Sequence, residues 1–156
     1  MDRPYRSLRQ LLAAKPAGVH SVGASATMWD ALELMAERDV GALVVLDEEG
    51  SVIGLVSERD YARKGILLGR LAKETSVREV MNTLVISVTP EQTVPQCMAL
   101  MTAHRTRHLL VLEEGRLIGV VSIGDLVKEV ISHHEHVIKE LELERLILFS
   151  QGTYSC

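Results

Sequence analysis

Aromatic side chains are scarce in this chain of 156 residues. Phe, Trp and Tyr together make up 3% of the sequence, whereas hydrophobic residues as a whole make up 47%. The interior must therefore be aliphatic, and there is enough apolar material to form a packed core. The scarcity also leaves no series of aromatic platforms on which nucleic-acid bases could stack.

Clustered positive charge is missing as well. The net charge is −4, and the Lys and Arg residues form no long basic stripe. Because binding to nucleic acids depends on neutralising phosphates, we expect no nucleic-acid partner. No apolar run approaches the ~20 residues needed to cross a bilayer, so we expect no membrane partner either.

Cysteine is limited to Cys97 and Cys156, with no Cys-x-x-Cys pair. This usage predicts no disulfide framework and fits a reducing compartment, so we expect a cytoplasmic location. A transit peptide is the alternative, because the first 29 residues hold a single acid, Asp2, and several bases. We prefer to place this stretch within the internal repeat described next. Its basic residues are Arg3, Arg6, Arg9 and Lys15.

Catalytic sequence motifs are absent too. The chain has no Ser/His/Asp order, no Walker-type Gly-Lys-Ser/Thr and no Gly-x-Gly-x-x-Gly. His133 and His136 have helical spacing but no obvious third ligand nearby, so we expect no metal. The absences favour a binding protein over an enzyme.

What the chain does contain is an internal duplication. Residues 19–45 align with residues 85–111 at a shift of 66, and residues 50–60 align with 115–125 at a shift of 65. Each copy predicts the order helix, strand, helix, strand, strand, helix, with a Thr (Thr27 or Thr93) capping the second helix and an acidic turn ending in Gly between two strands. We predict an α+β fold of two three-stranded sheets with helices, related by pseudo-two-fold symmetry, sharing an aliphatic core. The predicted divisions are 1–70 and 71–135 for the repeats and 136–156 for a helical extension.

The two copies resemble the CBS domain family, named after cystathionine beta-synthase. The resemblance lies in the stretches Gly54–Asp60 and Gly119–Asp125, which match the family's Gly-x-aliphatic-Ser/Thr-x-x-Asp pattern, and in Arg107–Val111, where Leu110 replaces the usual Pro. It covers roughly residues 7–130. The family pattern implies two clefts between the repeats, which in relatives hold AMP, ADP, ATP, S-adenosylmethionine or NAD.

The resemblance assigns a role to each part of a nucleotide. The carboxylate after the Ser would accept hydrogen bonds from the ribose hydroxyls, and the Ser at the helix start would face a phosphate. The base would lie at the strand ends near Val19–Ser21 or Val85–Ser87. The implied ligand residues are Ser57, Asp60, Arg107, His108, Val85, Ile86 and Ser87 for one cleft, and Ser122, Asp125, Val19, His20 and Ser21 for the other.

The two implied clefts differ in charge. By the family analogy, Asp60 works with Arg107 and His108 of the other repeat, whereas Gly41 and Ala42 stand at the equivalent positions for Asp125. We therefore expect the cleft of Asp60 to bind phosphorylated nucleotides more tightly. Further phosphate contacts could come from four basic residues in and after the first motif: Arg59, Lys64, Arg70 and Lys73. For Lys64, Arg70 and Lys73, a solvated loop is the simpler interpretation.

The sequence thus predicts a regulatory adenine-nucleotide-binding module that acts on an unknown partner protein. The alternative is a ligand-independent interaction scaffold. From about Leu126 to Phe149 the chain predicts one long helix with an apolar stripe that its own repeat does not need. Because such a stripe is a candidate contact for a second subunit, we expect a homodimer.

Overall fold

The computed structural model describes residues 4–16 and 18–152, with only the backbone of Gly152. Two compact units can be separated in it. The terminal unit comprises the residues up to Lys15, Val88–Leu109 and the chain from Val121 onwards, and the central unit comprises Pro16–Ser87 and Leu110–Val120. Residues 1–3 and 153–156, the outer ends of the predicted divisions 1–70 and 136–156, lie outside the described residues.

The order of helices and strands follows the duplication. The helices are α1 Leu8–Ala13, α2 Met28–Arg38, α3 Glu58–Lys64, α4 Val77–Val80, α5 Val94–His104 and α6 Ile123–Gly152. The strands are β1 Ser21–Gly23, β2 Ala42–Leu46, β3 Val52–Ser57, β4 Ser87–Val88, β5 His108–Glu113 and β6 Arg116–Ser122. Two short 3₁₀ turns, Ile66–Leu68 and Ala72–Glu74, lie between α3 and α4.

The predicted pair of three-stranded sheets is confirmed. One sheet has the order β1-β2-β3 and the other β4-β5-β6. In the first, β1 is parallel to β2, and β2 is antiparallel to β3. The turns between the paired strands contain Gly50 and Gly115 at φ 83° and 77°. This left-handed conformation is one that Gly adopts readily, so the acidic stretches ending in Gly form turns as predicted.

The helix starts also agree with the sequence. Thr27 and Thr93 cap α2 and α5 through their side-chain oxygens, and Pro95 lies in the first turn of α5. Both helices end on a residue in the left-handed conformation, Asp39 at φ 53° and Arg105 at φ 51°. The two copies therefore share their backbone capping as well as their residue pattern.

The first sheet is covered on both faces within the central unit. On one face, Leu43, Val45 and Val56 pack with buried residues of α2 and α4. On the other face, Val44 and Leu55 pack with Leu110. Because successive strand residues point to opposite faces, the alternation within β2 separates two apolar clusters and explains why the strand is almost continuously hydrophobic.

The structure differs from the sequence prediction at the boundaries of four elements. The strands β1 and β4 begin at Ser21 and Ser87 rather than at the preceding Val residues, because only these short segments form regular pairing. Helix α4 ends at Val80, since Asn82 leaves it to pair with Leu55 of β3. Helix α6 begins directly after β6 and runs unbroken to Gly152, so the predicted helix at the end of the repeat and the long C-terminal helix are one element.

Candidate functional site

The Ser57 and Asp60 pair forms a closed capping box at the start of α3. The backbone N–H of Asp60 donates to Ser57 Oγ at 3.0 Å, and the backbone N–H of Ser57 donates to Asp60 Oδ2 at 3.0 Å. The Ser57 hydroxyl also donates to Oδ2 at 2.9 Å. The two hydrogen bonds that Ser57 donates end on the same carboxylate oxygen of Asp60, so Oδ1 is left for another donor. The Asp60 side chain is only half-buried.

Ser122 and Asp125 repeat this arrangement at the start of α6, with one addition. The N–H of Ser122 donates to Asp125 Oδ2 at 2.8 Å, and the N–H of Asp125 donates to Ser122 Oγ at 3.2 Å. Lys15 Nζ, which lies 110 residues away in sequence, donates to the same Oδ2 at 2.8 Å. The Asp125 carboxylate therefore forms an ion pair with Lys15 that the sequence argument did not predict.

This contact changes the acidity of Asp125. Burial by itself would raise the pKa of the carboxyl group, but the hydrogen bond from Lys15 and those from Ser122 outweigh it and hold the pKa below its ordinary value. Asp125 is therefore a stable carboxylate at neutral pH, which is the form that accepts hydrogen bonds from hydroxyl groups.

The residue before each middle strand is fixed by the following helix of its own repeat. The N–H of Glu58 donates to the carbonyl of Gly41 at 3.1 Å, and the N–H of Ile123 donates to the carbonyl of Arg107 at 2.8 Å. Arg107 is exposed. The neighbouring His108 is half-buried, and its carbonyl accepts a hydrogen bond from the Thr106 hydroxyl at 3.1 Å.

The predicted base-binding segments present equivalent backbone groups in the central unit. The N–H of Val44 donates to the carbonyl of His20 at 3.1 Å, and that of Leu110 donates to the carbonyl of Ile86 at 3.0 Å. Since successive peptide groups of a strand point to opposite sides, the N–H and C=O of Ser21 and Ser87 point away from the neighbouring strand, along the outer edge of the sheet.

The adjoining Val19 and Val85 have a different role. Both are half-buried and pack against the cluster of Val44, Leu55 and Leu110. Their side chains therefore support the edge strands, while the backbone N–H and C=O groups of Ser21 and Ser87 remain at the edge of the sheet. This division between packing and backbone exposure could not be read from the sequence, because it depends on which strand forms the sheet edge.

The additional basic residues are distributed among protein contacts. Arg70 lies 3.7 Å from Glu79, and Lys73 Nζ lies 4.5 Å from the centre of the Trp29 ring. Arg59 and Lys64 are exposed on α3. Arg70 and Lys73 lie in the loop that joins α3 to α4, and they contact residues of α4 and α2, whereas the sequence argument favoured a solvated loop.

The N-terminal segment forms a row of contacts along α6 that the sequence argument missed. Tyr5 stacks on His133 with ring centres 4.2 Å apart, and Arg6 Nε lies 2.7 Å from Glu129 Oε2. Together with the Lys15 contact to Asp125, these pairs use three α6 residues spaced four apart, so they lie on one face of the helix. The i, i+4, i+8 spacing of Asp125, Glu129 and His133 was the available sequence signal.

Two other predictions concern reactive side chains. Cys97 is fully buried, and burial raises the pKa of its thiol, as expected for a core residue rather than a nucleophile. Cys156 lies outside the described residues. Within residues 4–16 and 18–152, no group of three or more His, Cys, Asp or Glu side chains is arranged to hold a metal ion, and His136 instead contacts Glu140 at 2.9 Å.

Comparison with known proteins identifies the same family, the CBS domain family, that the fold and the duplicated Ser-x-x-Asp boxes indicate. The sequence pattern of the CBS domain matches residues 16–65 and 77–132. The CBS domain-containing protein CBSX3, mitochondrial, of Arabidopsis thaliana is 42% identical over 132 residues, which cover 82% of this chain and 62% of the relative. The chain therefore spans less than two thirds of the length of that protein.

Two solved structures are also similar. A protein with CBS domains from Burkholderia ambifaria MC40-6 is 48% identical, with a TM-score of 0.77, over 81% of this chain and 95% of the other. The CBS-domain containing protein ATU1752 from Agrobacterium tumefaciens is 33% identical, with a TM-score of 0.76, over 83% and 96% of the two chains.

The chain belongs to the CBS domain family, and its tandem repeats make it a CBS-domain pair. Pairs of this family are typically regulatory rather than catalytic, generally bind adenine nucleotides and often form oligomers. Among the described residues, no helix is long and apolar enough to cross a membrane.

Proposed function

We propose that this CBS-domain pair is a sensor of adenine nucleotides that transmits its ligand state to a separate protein. The observation that supports it best is the duplicated box: in both repeats a Ser and an Asp three residues later open a helix directly after a strand. Each box fixes a carboxylate at the first turn through backbone N–H groups, so the carboxylate is already oriented when a ribose arrives.

In this proposal Asp60 and Asp125 accept the ribose hydroxyls, and the backbone edges at Ser21 and Ser87 pair with the adenine ring. Hydrogen bonds to a charged acceptor contribute roughly 1.5–3 kcal/mol each, which is enough to favour a ribonucleotide over its deoxy analogue. Ser57 and Ser122 face the phosphate end, where the helix N-terminus favours negative charge.

The proposal keeps the expected difference between the two sites. By the family resemblance, Arg107 and His108 serve the nucleotide held by Asp60 and neutralise its phosphates. Arg59 and Lys64 are exposed cations that follow Ser57. A phosphate chain would have to compete with Glu79 for Arg70, but that pair is weak because both side chains are at least 41% exposed.

Regulation would follow from linkage. A nucleotide can shift a conformational equilibrium only by its difference in affinity for the two arrangements, typically about 1–3 kcal/mol. A cytoplasmic homodimer that acts on a partner protein, without catalysis and without a metal, completes the proposal. A scaffold that assembles without ligand is the competing function, and it is favoured by the exposed apolar residues of α6.

The deciding experiment measures thermal unfolding and calorimetric binding with AMP, ADP, ATP, NAD and S-adenosylmethionine. A ligand at 100 times its dissociation constant should stabilise the wild type by roughly 2.7 kcal/mol. We expect Asp60→Ala to remove most of this stabilisation for the preferred nucleotide and Asp125→Ala to remove binding at the second site.

Asp30→Ala is the matched control, because Asp30 is also the third residue of a Thr- or Ser-capped helix and donates its N–H to the cap, Thr27 Oγ1, at 3.1 Å. It should bind like the wild type. If no adenine compound shifts the melting temperature at millimolar concentration, the sensor proposal is wrong and the scaffold is the better description.

A further inference from the structure

Lys15 occupies part of the carboxylate on which the proposed second nucleotide site depends. Its Nζ lies 2.8 Å from Asp125 Oδ2, and the backbone N–H of Ser122 donates to the same oxygen at 2.8 Å. The Asp125 side chain is only 18% exposed. Because a carboxylate oxygen accepts about two hydrogen bonds, both places on Oδ2 are taken, and a ligand is left with Oδ1.

A ribose presents two neighbouring hydroxyl groups, and bidentate pairing with both carboxylate oxygens adds binding energy and geometric specificity. At Asp60 the second donor to Oδ2 is the Ser57 hydroxyl at 2.9 Å, whose hydrogen can rotate to another acceptor without breaking an ion pair. At Asp125 the second donor is the ammonium group of Lys15. A ribose that uses both oxygens of Asp125 must therefore displace a charged side chain.

We infer that Lys15 is a tethered competitor of the nucleotide at Asp125: the ion pair weakens binding at this site, and a bound nucleotide releases the Lys15 side chain. This role rests on the proposed function, and it names the element through which the Asp125 site responds to its ligand. Because such couplings are reciprocal, the factor by which the ion pair weakens nucleotide binding is also the factor by which nucleotide weakens the ion pair.

The remainder of the N-terminal segment is held independently of Asp125. Leu8 and Leu11 of α1 are buried, so α1 keeps its apolar contacts when the ion pair breaks. Lys15 itself is 38% exposed and has a flexible four-carbon stem, so water can solvate the ammonium group once it leaves the carboxylate. The release is therefore confined to the end of the segment, and variants of Lys15 remain folded.

The test measures the binding of adenosine and of AMP by calorimetry in an Asp60→Ala background, which leaves the second site. We expect Lys15→Met to tighten the binding of both compounds about five-fold, the lower end of typical couplings. Adenosine has the ribose but no phosphate, so an equal gain for both compounds assigns the competition to the ribose. Lys15→Arg keeps the cation, and Arg9→Met removes an exposed cation of the same segment; both should bind like the background.

Unchanged or weaker binding of adenosine in Lys15→Met would overturn the inference, and so would an equal gain in Arg9→Met. Weaker binding of AMP, whatever the result for adenosine, would also overturn it, because Lys15 would then be a phosphate ligand. All these results leave the proposed function intact when the wild type binds AMP through Asp60. Failure of the wild type and of every variant to bind either compound would overturn both proposals.

The release of Lys15 is observed directly by NMR spectroscopy of the lysine side chains, in which the Lys15 signal is identified by its absence from Lys15→Arg. Saturating AMP should move this signal in the Asp60→Ala background to the position that it has in Asp125→Ala, where the ion pair cannot form. An unchanged Lys15 signal in a second site that binds AMP would contradict the competition.

Discussion

Each repeat begins with a short helix that has a Ser capping box, yet the two helices are attached in different ways. The linker segment, residues 75–82 with α4, is joined to the central unit by backbone hydrogen bonds, including both bonds of the Leu55 and Asn82 bridge and that of Val77 N–H to the Ala26 carbonyl. The N-terminal segment, residues 4–15 with α1, buries Leu8 and Leu11 and is further joined within the terminal unit by side-chain ion pairs. The least exposed of these pairs are Lys15–Asp125 and Arg6–Glu129.

The comparison shows how a duplicated sequence can keep a local motif and still acquire different electrostatics. The capping boxes depend on residues three apart, so they survive in both copies. The two least exposed ion pairs of the N-terminal segment, Arg6–Glu129 and Lys15–Asp125, join residues more than 100 positions apart and have no counterpart in the repeat pattern. Asp60 and Asp125 therefore share a backbone environment but not a charge environment.

The largest expected effect on the free energy of unfolding concerns the most buried ion pair of the N-terminal segment, Arg6–Glu129. Glu129 is 4% exposed and accepts hydrogen bonds from both the side chain and the backbone N–H of Arg6. Arg6→Met should lower the free energy of unfolding by about 2 kcal/mol, because it leaves a buried carboxylate with one charged partner fewer. Urea denaturation at pH 7 measures the change.

Lys64 occupies the position of Glu129 in the first repeat and is exposed, so Lys64→Met should change stability by less than about 0.5 kcal/mol. Equal effects of Arg6→Met and Lys64→Met would show that the N-terminal segment does not distinguish the two repeats energetically.

A smaller effect is expected at Lys15. Lys15→Met should raise the pKa of Asp125 and lower the free energy of unfolding by about 1 kcal/mol at pH 7, a value reduced because the Lys15 side chain is 38% exposed. Since the folded-state pKa of Asp125 lies below its ordinary value, its contribution is present above that ordinary value and is lost as the pH falls through the folded-state pKa. The difference between wild type and variant should therefore disappear at acidic pH.

Unfolding curves at pH 7 and at a pH low enough to protonate Asp125 provide this measurement. Arg9→Met is the control, because the Arg9–Glu91 pair is long, at 3.3 Å, and both side chains are more than half exposed; its effect should stay within about 0.5 kcal/mol. A pH-independent effect of Lys15→Met would mean that the substitution acts through packing rather than through Asp125.

The smallest expected effect is a difference in how salt changes the hydrogen exchange of α1 and of α4. Raising the ionic strength to 1 M shortens the Debye length to about 3 Å, which weakens exposed ion pairs but not backbone hydrogen bonds. We expect hydrogen exchange to become a few-fold faster in Leu8–Ala13 and to stay unchanged in Val77–Val80. A uniform change in both helices, measured by mass spectrometry, would contradict the assignment of ion pairs to one segment and backbone bonds to the other.

Much of the fold follows from neighbours in sequence. Thr27 and Thr93 cap the helices that they were predicted to cap, and Gly50 and Gly115 occupy the predicted turns. The site residues Ser57 and Asp60, and likewise Ser122 and Asp125, form their pairs within four residues of chain. The ligand roles of all the predicted site residues, and the division of the chain at residues 70 and 135, stay predictions.

Other features were beyond any local argument. The short strand β1 owes its outer-edge groups at Ser21 to the order of strands in the sheet, and the end of α4 is decided by the pairing of Asn82 with Leu55. Lys15 was one of several bases in a segment with a weak resemblance to a transit peptide, and nothing in its surroundings in sequence points to Asp125.

The sequence by itself determined the duplicated architecture, the helix caps, the turns and the long apolar C-terminal helix, because each depends on backbone geometry and side-chain periodicity over a few residues. Only the tertiary structure decided which carboxylate forms an ion pair with a lysine, which peptide groups remain at a sheet edge and which residues of α6 stay exposed. These depend on contacts between residues far apart in the chain, where the free energy of packing and charge pairing outweighs local preference.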